Sequence, residues 1–117
     1  MRERQRIVKR RELDGELRPY RMAAKRKDVT EDLLRTVRHA MGIPLNEIAQ
    51  KMGVNRSVVF RMEKREELGT ISLNNMERVA SAMGFKLTYG IVPCNGETLE
   101  LLASKRLWEK RLGKDRG

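Results

Sequence analysis

Residues 45–64 constrain the fold of this chain more than any other stretch, because a glycine there separates two helical patterns. The apolar residues of the first pattern recur at i, i+3, i+4 and i+7: Leu45, Ile48, Ala49 and Met52. This spacing predicts one buried face on a short helix. Gly53 ends that phase, and since glycine adopts a positive φ without steric cost, we expect a sharp turn there.

A second helix is predicted to begin directly after this turn, with Asn55 as its N-cap. Its buried side would consist of three apolar residues: Val54, Val59 and Met62. Ala49 and Gly53 are small, as a close crossing of the two helices would require. The whole pattern is that of a helix-turn-helix, which offers its second helix to the DNA major groove. Helical bundles that never contact nucleic acid can contain the same pattern.

The outward face of this second helix is polar and cationic, with one aromatic residue. Arginine can bond guanine through two hydrogen bonds, serine can donate or accept, and phenylalanine can contact a thymine methyl group, so these types suit base reading. The predicted base-reading residues are Arg56, Ser57, Phe60 and Arg61. The predicted phosphate-binding residues are Asn55, Lys64 and Arg65, together with the basic flanking segments.

The net charge of +10 on 117 residues lies mainly in the two ends of the chain. Lys and Arg outnumber Asp and Glu by 11 to 5 in residues 1–30 and by 7 to 4 in residues 85–117, but only by 8 to 7 in residues 31–84. Such a cationic excess attracts any polyanion, so DNA, ribosomal RNA and acidic lipid would all be favoured.

Length and composition favour one compact all-α domain with appendages. Aromatic residues are scarce and charged residues make up 36% of the chain, so the core must come from aliphatic residues and methionine. One cysteine excludes an internal disulfide. The start of the chain lacks the apolar region of a signal peptide, and no run approaches a membrane span, so we expect a cytoplasmic protein without membrane contact.

We divide the chain into four segments: a basic N-terminal arm and linker (1–29), a four- to five-helix DNA-binding domain (30–84), a dimerisation strand (85–93), and a C-terminal helix and tail (94–117). A basic helix and a solvated, partly disordered arm are both compatible with the first segment. The pair Arg18 and Pro19 should interrupt any helix, because proline disfavours the α region for its predecessor. Residues 20–27 are interpreted as a linker.

Start and stop signals bound the helices of the second segment. Thr30 is expected to cap the first helix, which ends near Met41, and Pro44 suits the first turn of the next helix. Residues 65–71 are interpreted as a frayed helix end and a loop. Ser72 should cap the last helix of this segment.

In residues 85–93 the apolar residues recur at every second position instead of at helical spacing. The apolar members of this repeat are Phe85, Leu87, Tyr89 and Ile91. This alternation predicts a β-strand. No second strand is evident in the sequence, and a strand without a partner leaves backbone groups unsatisfied. The same strand of another copy would give a two-fold homodimer. A strand of a different protein and the N-terminal arm are the alternative partners.

The last helix is expected from Glu97 to about Leu112, followed by a frayed end. Its apolar residues form a broad side: Leu99, Leu102, Ala103, Leu107, Trp108 and Leu112. Trp108 is expected to pack on the domain or across the dimer, and a surface for another protein is the alternative.

With Ala49, Gly53 and Val59 at their positions, residues 31–84 resemble the Cro/cI-repressor-like helix-turn-helix family, of the xenobiotic-response-element type. The resemblance implies a structural ion pair between Arg38 and Glu63, which would hold the first helix against the recognition helix. Two solvated charges are the alternative interpretation.

Four stretches are similar to the group called mobile mystery protein A: Leu34-Arg-Thr-Val-Arg38, Glu63-Lys64, Gly69-Thr-Ile-Ser-Leu73 and residues 85–93. Regulators of this group are usually encoded beside a Fic-domain protein, in an arrangement that resembles a toxin-antitoxin pair. The resemblance therefore implies a regulatory or antitoxin member of such a pair.

The sequence also departs from these families. Pro44 and Leu45 stand where Thr-Gln is common, so the usual glutamine contact to phosphate is absent. Phe60 stands where serine is common, so base preference does not transfer. Some inhibitors block the active site of Fic proteins with a Ser/Thr-x-x-x-Glu-Gly/Asn motif. No glutamate of this chain has Ser or Thr four residues earlier, so inhibition by that motif is not expected.

Catalytic and metal-binding patterns are not evident. His39 and Cys94 are the sole histidine and cysteine, so neither a four-ligand zinc site nor a convincing nucleophile pair can be assembled. We predict neither enzyme activity nor a cofactor.

The functional hypothesis from the sequence is a dimeric, sequence-specific DNA-binding regulator that represses its own operon from a palindromic operator. The alternatives are a toxin-neutralising protein with little regulatory role and an RNA-binding helical module.

Overall fold

The computed structural model describes residues 1–25 and 32–116, with side chains up to residue 113. Within these residues the chain forms seven α-helices and no β-strand, which confirms the all-α class. The helices are α1 (Glu3–Glu16), α2 (Arg18–Ala24), α3 (Leu33–Ala40), α4 (Leu45–Met52), α5 (Arg56–Glu67), α6 (Leu73–Ala82) and α7 (Leu99–Arg116). They belong to two compact units: a central unit, in which α3 to α6 precede residues 83–88, and a terminal unit made of α1, α2, residues 89–98 and α7.

The central unit has an aliphatic core to which all four of its helices contribute. Ile48 of α4, Val59 of α5 and Val79 of α6 are fully buried at its centre. Around them pack Leu34, Ala49, Met62 and Met83. Burying one aliphatic side chain stabilises a fold by roughly 1.5–3 kcal/mol, so this cluster supplies the main driving force for the central unit.

Several helix ends of the central unit differ from the prediction. The expected cap at Thr30 lies outside the described residues, and α3 has Asp32 at its N-cap position. Pro44 is the N-cap residue of α4 instead of part of its first turn. The backbone N–H of Asn75 donates to Oγ of Ser72 at 3.1 Å, so the predicted cap of α6 is confirmed.

The predicted strand at residues 85–93 is wrong, because the described chain holds no strand there. Phe85 and Leu87 instead line a small apolar pocket of the central unit with residues of α3 and α6. In the terminal unit, a methyl group at Gly90 would come within 2.7 Å of Cγ of Tyr20, so the backbone there lies against the tyrosine ring. Period-two alternation specifies which side chains can share a face, but it supplies no hydrogen-bonding partner for the backbone.

The terminal unit is more helical than predicted. The helical alternative holds for the basic arm, since α1 begins at Glu3 and α2 occupies residues 18–24, where a linker was expected. The two helices are separated at Leu17, which is the C-cap of α1 and the N-cap of α2, and Pro19 lies in the first turn of α2. The expected frayed end after Leu112 is also wrong, because α7 continues to Arg116.

Asp14 of α1 holds the N-terminus of α7. The backbone N–H groups of Leu99 and Glu100 donate to its two carboxylate oxygens at 2.7 and 3.4 Å. Nε of Arg10 lies 2.6 Å from Oε1 of Glu100, which gives a second link between the same helices. The first N–H groups of a helix have no partner within it, so a carboxylate from a neighbouring helix satisfies them and fixes where α7 begins.

Candidate nucleic-acid interface

Two helices joined by a short turn, α4 and α5, lie at the positions predicted for the two helices of the motif. Gly53 follows α4 with a φ of 68°, and the N–H of Val54 donates to the carbonyl of Ala49 at 3.0 Å. Asn55 then has an extended backbone, with φ −76° and ψ 152°, and α5 starts at Arg56. The left-handed glycine satisfies the end of α4 and lets the chain turn directly into α5.

The expectation that a close helix crossing requires Gly53 is wrong. No atom outside its neighbours lies within 4 Å of the place where a Cβ would be, so space does not limit this position. The positive φ is the reason for glycine here. Ala49, by contrast, is buried in the core between the helices.

Four residues of α5 face the interior of the central unit at i, i+3, i+4 and i+7: Val59, Met62, Glu63 and Glu66. Val59 and Met62 belong to the predicted apolar side. The two carboxylates are unusual on a buried face, since an ionised carboxylate without partners is costly to remove from water. Each has a specific partner on α3.

Glu63 binds Arg38 through two hydrogen bonds. Nε of Arg38 lies 2.5 Å from Oε1 and Nη2 lies 3.3 Å from Oε2 of the glutamate. Nη1 of the same arginine donates to the carbonyl of Ile43 at 3.2 Å, and Nε of Arg35 lies 3.8 Å from Oε2 of Glu63. Glu63 is only 1% exposed. A two-point contact between a planar guanidinium and a buried carboxylate defines orientation as well as distance, so it fixes the rotation of α5 relative to α3.

Glu66 is a structural residue that the sequence interpretation missed. It was assigned to a frayed helix end, but α5 continues through Glu67, and Glu66 is buried. Its Oε1 accepts the backbone N–H of Leu34 at 2.8 Å, so it caps α3 from outside. Burial raises the pKa of this carboxyl, and the hydrogen bonds from the backbone of Leu34 and Leu33 oppose that rise. The spacing from Val59 to Glu66 was the signal that could have identified it.

The opposite face of α5 lies in solvent, and together with the N-cap residue it carries all of the predicted DNA-binding residues. The exposed set is Asn55, Arg56, Ser57, Phe60, Arg61, Lys64 and Arg65. Phe60 is 47% exposed, and Nζ of Lys64 lies 5.9 Å from the centre of its ring. Lys64 also lies 3.4 Å from Oε2 of Glu67. The face therefore combines hydrogen-bond donors, cations and one aromatic ring, none of them covered by the rest of the central unit.

A shallow depression joins the starts of α4 and α5. It is lined by Leu45, Asn55, Arg56, Ser57 and Phe60. The Asn55 side chain makes no capping hydrogen bond to α5, so its amide can reach an external group. Backbone N–H groups at a helix start favour nearby anions, which makes this end of α5 suitable for contact with phosphate.

No metal centre is evident. Among the side chains described, those of residues 1–25 and 32–113, no three of His, Cys, Asp and Glu come together as a set that could hold a metal ion. Cys94 is exposed as a thiol. Of the seven helices described, none has the length and apolar character needed to cross a membrane.

Comparisons with protein-family models, with curated proteins and with solved structures found no match to this chain.

Proposed function

We propose that this chain is a sequence-specific DNA-binding transcriptional regulator that represses its own operon as a homodimer. The observation that carries the proposal is the arrangement of α5. One face is fixed to α3 by the buried Glu63 carboxylate, and the other presents exposed donors and cations. A rigid helix with an uncovered polar face is what insertion into a major groove requires.

The residues on that face are assigned two roles. Arg56, Ser57, Phe60 and Arg61 read base edges, with the arginines as donors to guanine and Phe60 as an apolar contact for a thymine methyl group. Asn55, Lys64 and Arg65 hold phosphates. Support comes from the exposure of every one of these residues on the same helix and its N-cap.

A homodimer would place one α5 in each of two major grooves. Two-fold symmetry in the protein requires a palindromic site, with half-sites separated by roughly 34–36 Å along the DNA. The exposed arginines of α1 would add contacts to phosphate that do not depend on sequence.

A footprint on the DNA upstream of the chain's own gene tests the proposal. The expected result is a protected palindrome that Arg61→Ala abolishes at a protein concentration sufficient for the wild type. Tighter binding to structured RNA than to this DNA would favour the RNA-binding alternative instead, for which the basic character of α1 is the supporting observation.

The antitoxin role is a separate part of the proposal and depends on the resemblance to mobile mystery protein A alone. Co-expression with the product of the neighbouring gene tests it. A stable complex with a Fic-domain protein would support the role, and a neighbour unrelated to toxins would count against it.

A further inference from the structure

The helix α7 has apolar residues on two opposite faces. On the side of α1, Glu100 pairs with Arg10, and Ala103 and Leu107 line an open cleft with α1 residues. Leu107 is still 56% exposed there. On the far side, Leu101, Trp108 and Leu112 are 49%, 62% and 42% exposed. A helix that is apolar on more than one face usually has a partner for each of them.

The exposed face has the spacing of a helix-pairing seam. Leu101, Lys105, Trp108 and Leu112 follow one another at intervals of four, three and four residues. This is the a/d spacing by which two helices interlock side chains along their length. We call these four residues the α7 seam.

We propose that the α7 seam binds the same seam of a second copy of this chain, with the two helices antiparallel. The proposal rests on the homodimer of the proposed function, but it does not depend on the DNA-binding face. It gives the dimer an interface in place of the predicted strand, which does not form.

The seam is self-complementary only in the antiparallel arrangement. Its four positions are symmetric about the midpoint between residues 106 and 107. An antiparallel copy therefore brings Leu101 against Leu112 and Lys105 against Trp108, each twice. A parallel copy would place Lys105 against Lys105, which like charges disfavour, and Trp108 against Trp108.

The charges at the seam fit this arrangement. Nζ of Lys105 lies 2.5 Å from Oε2 of Glu97, so its charge is balanced and its methylene stem can cover an indole ring. In an antiparallel pair the flanking Glu109 faces Leu102 of the other copy, and Arg111 faces Ser104. No like-charged pair forms beside the seam.

The size of the seam predicts a weak dimer in the absence of DNA. Four side chains over about three turns bury less than the roughly 1,200–2,000 Å² of a standard stable interface. We therefore expect a concentration-dependent equilibrium between monomer and dimer, which two adjacent half-sites on DNA would shift toward the dimer.

Trp108 is the sole tryptophan of the chain, so its fluorescence reports this face directly. The full-length protein is measured without DNA by sedimentation and by tryptophan emission over a range of concentrations. The expected result is a rise in mass toward a dimer, with a blue shift of emission over the same range. Leu112→Lys should weaken the dimer at least tenfold and leave the helix signal unchanged. The control is Ile91→Lys, at a residue 86% exposed in the same unit, which should dimerise like the wild type.

Cross-linking tests the direction of pairing. In a Cys94→Ser background, a short thiol cross-linker should join Leu101→Cys chains to Leu112→Cys chains in a mixture, and neither variant to itself. Self-linking of each variant would overturn the antiparallel arrangement, and a monomeric mass at every concentration would overturn the proposal. Arg56→Ala separates the two proposals. If Arg56→Ala lost affinity equally for operator and random DNA while the protein still dimerised, this inference would stand and the base-reading proposal would fail. If the wild type stayed monomeric while Arg56→Ala relaxed its DNA specificity, only the DNA-binding proposal would stand.

Discussion

The carboxylate of Glu63 shows how a single buried charge can position a functional surface. It lies on the inner face of α5, in the same turn as the outward Phe60 and Arg61, and it is held by Arg38. A buried ion pair of this kind contributes little net stability compared with apolar residues of the same shape, but removal of one partner leaves the other charge unsatisfied. The pair therefore serves orientation.

Arg38→Ala should reduce the free energy of unfolding by about 3–5 kcal/mol, because it leaves the Glu63 charge buried without its partner. Chemical denaturation followed by the helix signal measures this loss. Arg78→Ala is the control, since this exposed arginine bonds only Asn75 of its own helix within the described chain, and it should change stability by less than about 0.5 kcal/mol. Equal small losses for both variants would show that the ion pair is not required.

Glu66 predicts a specific dependence of stability on pH. Its pKa is raised in the folded state by burial, so the folded protein binds this proton more tightly than the unfolded chain, whose reference pKa is 4.5. Its contribution is most favourable in acid and is lost as the pH rises through the folded pKa. Glu66→Gln keeps an acceptor for the N–H of Leu34 but has no charge. The stability of Glu66→Gln relative to the wild type should therefore increase from acid toward neutral pH. A difference that stays constant over that range would contradict this.

The buried carboxylates could have been found from the sequence. Val59, Met62, Glu63 and Glu66 have the spacing of one helical face, and the first two are apolar. The resemblance to repressor domains implied the partner of Glu63, but no pattern in the sequence indicated that Glu66 would cap α3. That contact depends on the packing of two helices about thirty positions apart, which periodicity does not specify.

At the scale of elements, the helices with strong period and clear stop signals were predicted well, and the connecting segments were not. α4, its turn and α5 were recognised because a glycine with positive φ separates two helical phases. The segment 85–93 was predicted as a strand because alternation was the only local signal. The order of the N-terminal arm depends on Asp14 and Arg10, which contact α7 about 85 to 90 residues later in the chain. Local sequence patterns do not indicate contacts between positions so far apart in the chain.

Two glycine substitutions with opposite expected signs test the backbone argument. Gly53→Ala should cost about 1–2 kcal/mol, because alanine is strained at a φ of 68° although the position is open. Gly15→Ala, within α1 and also in open space, should stabilise by about 0.5–1 kcal/mol. Chemical denaturation of the two single variants measures both effects. Changes of the same sign would contradict the assignment of Gly53 to a conformational role.

At the scale of the whole molecule, the basic charge of the ends has a defined structural setting. Residues 1–25 form α1 and α2, and α1 packs on α7 within the terminal unit. Removal of this segment would therefore disturb the packing as well as remove charge. Substitution of exposed arginines separates the two effects.

Replacement of both Arg4 and Arg11 by alanine should weaken binding to operator and random DNA alike. Both side chains are exposed and take part in none of the ion pairs found within the described chain. The slope of log affinity against log salt should fall in magnitude by about 0.9 for each phosphate that the variant no longer neutralises. Titrations at several salt concentrations measure this slope. An unchanged slope would mean that Arg4 and Arg11 do not contact phosphate.

The central claim is that the exposed face of α5 reads base identity. The most direct test is the affinity of the wild type and of Arg56→Ala for the chain's own operator and for random DNA at one salt concentration. We predict a loss of about 1–3 kcal/mol on the operator, with relaxed preference at one base pair in each half-site and little change on random DNA. Equal losses on the two DNAs would contradict the claim, because they would mean that Arg56 contacts only phosphate.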